Sequence, residues 1–174
     1  MNQMAKRGFI GIFLSIILIV IDQITKSLAV KHLKDQAAIV IWENVFELRY
    51  LENRGAAFGI MQGQKWFFVI FTCLALVLIS WFYLMKIPHE KKYKFLEIIS
   101  ILLFAGAIGN LIDRVCLNYV VDFFYFRLID FPIFNVADIY VTVAAFAMIT
   151  LGMFYYKDED FDLIFPSKKN KKAE

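Results

Sequence analysis

The sequence predicts an all-α polytopic membrane protein with four transmembrane helices and a small extracytoplasmic β-sheet. Three observations predict it. Of the 174 residues, 60% are hydrophobic, above the roughly half that soluble domains carry. The excess is gathered into four long stretches, and basic residues cluster in the segments beside them. One loop between the stretches alternates apolar and polar residues.

A bilayer core of about 30 Å takes roughly 20 helical residues to cross. The first span is placed at 8–29. Its first part is uncharged, and Asp22, Gln23 and Lys26 stand near its end. Ser27-Leu28-Ala29 resembles a signal-peptide cleavage site, but Asp22 and Lys26 lie where such an apolar region should end cleanly, so the segment reads as a retained span. The second span, 66–85, carries no charge. The third, 96–112, is apolar from Ile98 and flanked by Glu97 and Asp113, and the fourth is 137–156. The chain is thus expected to be a single membrane-embedded domain over 1–174.

Lys6 and Arg7 precede the first span, Lys86, Lys91, Lys92 and Lys94 fill the short link between the second and third, and Lys157 begins a basic tail. Four crossings place these segments on one side, and the positive-inside rule makes that side cytoplasmic. Both termini are then expected inside and residues 30–65 and 113–137 outside. The tail 157–174, with Lys168, Lys169, Lys171 and Lys172, is expected to be a disordered basic run with a preference for anionic lipid. In the first outer loop, Phe46, Leu48 and Tyr50 alternate with Glu47 and Arg49 over 45–51, the period of a half-buried strand.

Several chemistries lack their residues. Cys73 and Cys116 form neither a disulfide framework nor a metal spacing. His32 and His89 flank charged segments and read as solvated, so no metal is expected. Ser15, Ser80 and Ser100 lie in apolar runs without a histidine, which disfavours a serine nucleophile. No phosphate-cradling glycine loop or nucleic-acid signature is present.

What remains is a convergence. Because successive spans alternate direction, Asp22 and Lys26, then Asn110, Asp113 and Arg114, then Asn135 and Asp138 all fall near the outer face, with Asp122 in the loop between the last two groups. Ionisable groups at such depths are costly and point to function. Each group also has an ordinary role: Asp22 and Lys26 can pair four residues apart, the Asn110 group can be a polar helix end, Asn135 can cap the fourth helix with Asp138 three residues in, and Asp122 can be a loop acid. Together they exceed what capping requires. A carboxylate pair sharing one proton is an economical way to hydrolyse a peptide without serine, histidine or metal, and Asp122 and Asp138 are the candidate pair. The same acids could instead serve a proton or ion relay in a small transporter, or the chain could be a non-catalytic assembly subunit; cleavage of a peptide substrate separates the three.

The residues also resemble the motifs of signal peptidase II. Asp22-Gln23-Ile24-Thr25-Lys26, Asn53-Arg54-Gly55-Ala56-Ala57-Phe58-Gly59, Gly106-Ala107-Ile108-Gly109-Asn110-Leu111-Ile112-Asp113-Arg114, Val120-Val121-Asp122-Phe123 and Phe134-Asn135-Val136-Ala137-Asp138 are similar to that family's five motifs and occur in its order. Ala105 stands where many relatives have glycine. The resemblance implies an aspartyl endopeptidase of the bacterial inner membrane. It would remove signal peptides from prolipoproteins just before a cysteine bearing a diacylglyceryl group, at a site near the outer face and without a cofactor. It implies Asp122 and Asp138 as the catalytic dyad. Asn53, Asn110, Arg114, Asn135, Asp22, Lys26, Gly55 and Asp113 are implied as positioning or supporting residues, and the partners as lipidated prolipoproteins and membrane lipid, with no nucleic acid.

Overall fold

The computed structural model describes residues 3–55 and 61–166. Among these described residues, four helices are long and apolar enough to cross a bilayer. They are α1 (Gln3–Leu33), α2 (Lys65–Trp81, continued by a π-helical turn Phe82–Lys86), α3 (Lys94–Leu117) and α4 (Val136–Phe154). Three strands, β1 (Ile39–Trp42), β2 (Phe46–Asn53) and β3 (Val120–Phe126), form one antiparallel sheet in the order β1-β2-β3.

Helix α3 is the centre of the bundle and touches the other three. Its small residues make this possible. Ala105 is fully buried. A Cβ at Gly106 would lie 2.6 Å from the Ala137 carbonyl oxygen of α4, and one at Gly109 would lie 2.5 Å from Asp22 Oδ2 of α1. Neither position has room for a side chain, so both neighbours close onto the α3 backbone. Helix α2 is the opposite case. None of its residues is fully buried, and Ile70, Phe71, Leu74, Val77 and Leu78 are exposed. Such a face suits lipid tails rather than water.

The sheet lies beyond the α1 and α3 ends. The expected strand is present, as Phe46–Asn53 with Val45 left in the turn before it, but the alternation breaks partway. Leu48 pairs with Phe124 and Leu51 with Asp122, so β2 carries one extra residue between them. A bulge of one residue exchanges the faces of a strand. Beyond it, Asn53 lies on the same face as Asp122. Before it, Glu47 is buried, with Arg127 Nη1 3.6 Å from its Oε2.

Two expectations are corrected here. Asp122 is not a loop acid: it sits in β3, which is buried from Val120 through Phe123. The segment after α4 is not disordered from residue 157. Asp158–Ile164 forms a short helix, α5, because Asp160 accepts from Lys92, Tyr93 and the Lys157 amide while Ile164 joins a buried cluster with Tyr83, Tyr93 and Tyr156. The lysines at 168–172 and the motif residues 56–59 lie outside the described residues.

Candidate active site

Two carboxylates face one cavity of about 420 Å³, lined also by Asn53, Asn110, Arg114 and the 131–134 segment. β3 supplies Asp122 and the first turn of α4 supplies Asp138. They meet because the chain folds back between them: the amides of Phe123 and Phe124 donate to the Phe134 carbonyl, at 3.0 and 2.8 Å, and Phe134 N donates to the Phe124 carbonyl at 3.0 Å. That bridge sets Asn135 beside Asp122.

The four carboxylate oxygens each accept a hydrogen bond from a neutral amide. Asn135 Nδ2 donates to Asp122 Oδ1 at 2.6 Å, and Asn53 Nδ2 to Asp122 Oδ2 at 2.9 Å. Asn110 Nδ2 donates to Asp138 Oδ1 at 2.8 Å, and the Asn135 backbone N–H to Asp138 Oδ2 at 3.1 Å. The last bond is half of a capping box, in which Asn135 Oδ1 accepts from the Asp138 N–H. The capping role foreseen for Asn135 and Asp138 therefore coexists with exposure of Asp138 to the cavity.

Behind the carboxylates lies a buried ionic layer. Lys26 Nζ has three acceptors: Asp22 Oδ2 at 2.9 Å, Asp113 Oδ2 at 3.1 Å and Asn110 Oδ1 at 2.9 Å. An ammonium can only donate, so Asn110 must turn its oxygen toward Lys26. Its Nδ2 is then the end left to face Asp138. Asn110 Oδ1 also accepts from Asn135 Nδ2 at 3.1 Å, which ties the two amides together. Asp22 is fully buried and reaches further: its Oδ1 accepts from the Ala137 N–H at 2.9 Å, capping α4 from α1. Asp113 Oδ2 accepts from the Val121 N–H at 3.0 Å and so anchors β3. Gln23, which is not among the expected site residues, joins this layer. Its Nε2 bridges Asp22 Oδ2, Asp113 Oδ1 and the Gly109 carbonyl at 3.1–3.2 Å. Its place inside the first motif was the available signal.

Asn110, Asp113 and Arg114 share a helix, but Asp113 and Arg114 form no ion pair with each other among the described residues. Asp113 turns to Lys26, and Arg114 donates to the Asn110 and Gly55 carbonyls at 3.5 and 3.4 Å. Gly55 in turn donates its N–H to Asn53 Oδ1 at 3.0 Å. All ten residues expected at the site are thus joined in one network.

Burial pushes the Asp122 carboxyl up to about 7, aided by the charge of Asp138 and opposed by the Asn53 and Asn135 hydrogen bonds. An acid that holds a proton near neutrality beside a second carboxylate can share that proton, and the pair can then give and take protons in one reaction. A further cavity of about 250 Å³ lies between α1, α2 and α3. Among its serines, the Ser80 and Ser100 hydroxyls donate to the carbonyls four residues back, and among the described residues no carboxylate lines it.

The chain resembles known proteins over most of its length. A family model described as Signal peptidase (SPase) II matches residues 14–154. The chain is 42% identical over 144 residues to a lipoprotein signal peptidase of Clostridioides difficile, covering 83% of this chain and 95% of that one. It is 41% identical over 159 residues to one of Streptococcus pyogenes, covering 91% and 99%. Among solved structures it resembles a bacterial membrane enzyme determined by the in meso method at 2.3 Å resolution, with a TM-score of 0.76, 31% identity, and coverage of 85% of this chain and 92% of the other. With four membrane-length helices, the five motifs in order and a family match over most of its length, this chain belongs to the signal peptidase II family.

Proposed function

We propose that the chain is an intramembrane aspartyl endopeptidase that removes the signal peptide from diacylglyceryl-modified prolipoproteins, cutting just before the lipid-bearing cysteine. The observation that carries this reading is the pair Asp122 and Asp138 in one cavity, each carboxylate oxygen accepting from a neutral amide. The ionised member of the pair takes a proton from a water molecule as the water oxygen attacks the scissile carbonyl carbon. The protonated member gives its proton to the carbonyl oxygen. Collapse of the resulting diol breaks the C–N bond, with a proton delivered to the departing amine.

The remaining residues keep the pair in register. Asn53 and Asn135 orient Asp122, and Asn110 orients Asp138. Lys26, with Asp22 and Asp113 behind it, fixes the Asn110 amide, while Arg114 and Gly55 hold Asn53. A substrate whose acyl chains stay in the bilayer can present its amide at this depth, since the cavity is also lined by Phe131, Ile139, Val141 and Val143. On this reading the whole chain is one peptidase domain in the cell membrane. Both termini are cytoplasmic and the site lies near the outer face, with no cofactor required.

The test is purified protein with a synthetic prolipoprotein peptide, with and without the diacylglyceryl group. Release of free signal peptide from the lipidated form, cut before the cysteine, is expected. Absence of cleavage, or equal cleavage of both forms, overturns the proposal.

A further inference from the structure

Over Lys65–Trp81 helix α2 has no fully buried residue, yet it meets the site at Phe68. Arg114's guanidinium carbon lies 4.9 Å from the centre of the Phe68 ring. Its hydrogen bonds to Asn110 and Gly55 are long, at 3.5 and 3.4 Å, so they define its pose weakly. An aromatic face within about 6 Å attracts a guanidinium and restrains its plane. One turn earlier, Lys65 Nζ donates to Asn118 Oδ1 at 2.6 Å and to the Val115 carbonyl at 3.3 Å, at the end of α3. Lys65 and Phe68 are three residues apart and share a helix face. They therefore hold α2 against α3 at successive points, and the second point is Arg114.

We infer that Phe68 is a positioning residue for cleavage, acting through Arg114. The inference rests on the peptidase reading above. The path is short: Phe68 restrains Arg114, Arg114 donates to the Gly55 carbonyl, Gly55 N–H holds Asn53 Oδ1, and Asn53 Nδ2 holds Asp122 Oδ2. It gives the otherwise lipid-facing α2 a part in aligning the dyad.

The experiment uses the full chain and the lipidated peptide. Phe68→Leu keeps apolar volume but removes the ring. It is expected to lower kcat about 3- to 10-fold, the range that loss of a cation–π contact implies, with KM and the thermal midpoint in detergent unchanged. Phe68→Tyr and Phe68→Trp should restore the rate. In an Arg114→Gln background, Phe68→Leu should cost nothing further. The inference is overturned if Phe68→Leu turns over normally, if Trp and Leu variants lose rate and stability alike, or if the loss persists in the Arg114→Gln background. A wild-type protein that cleaves alongside a normal Phe68→Leu variant removes only this inference; a wild-type protein that does not cleave removes the peptidase reading with it.

Discussion

The two ends of the helix bundle both bury charge, and they treat it in opposite ways. At the lysine-rich end, Arg7 donates to the Ile87 and Pro88 carbonyls at 2.6 and 2.9 Å and pairs with Glu97 at 2.8 Å. Lys92 grips both oxygens of Asp160, and Tyr93 and the Lys157 amide add further donors. The Asp160 carboxyl is held down to about 2, first by the Lys92 hydrogen bond and then by those two donors. At the site end, Asp122 accepts from amides and faces a like-charged neighbour, and burial lifts it to about 7 against the more distant charge of Lys26. The two aspartates titrate on opposite sides of the ordinary carboxylate range. A carboxylate given a full cation is committed to its charge and serves as a clasp. One given neutral donors and a rival acid keeps a proton to exchange.

The largest effect should come from removing that exchange. Asp122→Asn and Asp138→Asn are each expected to lower cleavage by about a thousandfold or more, and the double variant no further, since the two act as a unit. Near-normal release of signal peptide by either variant breaks the contrast between the two ends. Next is the cation behind the pair. Lys26→Met leaves Asp22 and Asp113 buried without it, and losing one partner of a buried ion pair costs about 3–5 kcal/mol. A lower midpoint of thermal unfolding in detergent is expected, and an unchanged midpoint would show that the ionic layer is not what holds α1 and α3 together.

The pH dependence sharpens the comparison further. Cleavage should fall as pH rises through about 7, where the shared proton leaves the Asp122 pair. The same group shapes stability. Its folded pKa is raised, so the folded chain holds this proton more readily than the unfolded one, and stability declines as pH rises from the ordinary carboxylate value of 3.8 toward about 7. Asp122→Asn should flatten that slope in a pH series of thermal scans. Asp160 has the opposite sign: its contribution is present above 3.8 and is lost as pH falls through about 2. The smallest effect is accordingly Asp160→Asn, which should lower the thermal midpoint slightly and leave kcat intact. A loss of turnover there would mean that the two ends are coupled.

Much of this was legible in the residues. The four apolar stretches follow from bilayer thickness, and the convergence of the acids follows from alternating span direction. What escaped did so for physical reasons. β3 reads Val-Val-Asp-Phe-Phe-Tyr-Phe and is buried on both faces at first, so it shows no alternation to mark a strand. β1 is Ile-Val-Ile-Trp, exposed throughout, and equally silent. Arg7 looked like a plain cytoplasmic flank because its acceptors are carbonyls some 80 positions away. The reason for a glycine at position 109 is not visible along the chain, because the carboxylate of Asp22 that excludes a Cβ there belongs to another span.

The cap that Asp22 places on α4 has a consequence for biosynthesis. The carboxylate and the amide it accepts from are 115 positions apart, on the first and the last of the four helices to emerge during synthesis. Asp138 lies one residue beyond that amide, and its partner Asn110 is turned by Lys26, again from the first helix. A nascent chain that has inserted three helices holds Lys26, Asn110 and Asp122 but no second acid and no capped α4. On the proposed dyad reading, proteolytic competence arrives only with the final helix, and a chain still lacking α4 is silent in a membrane full of peptide bonds.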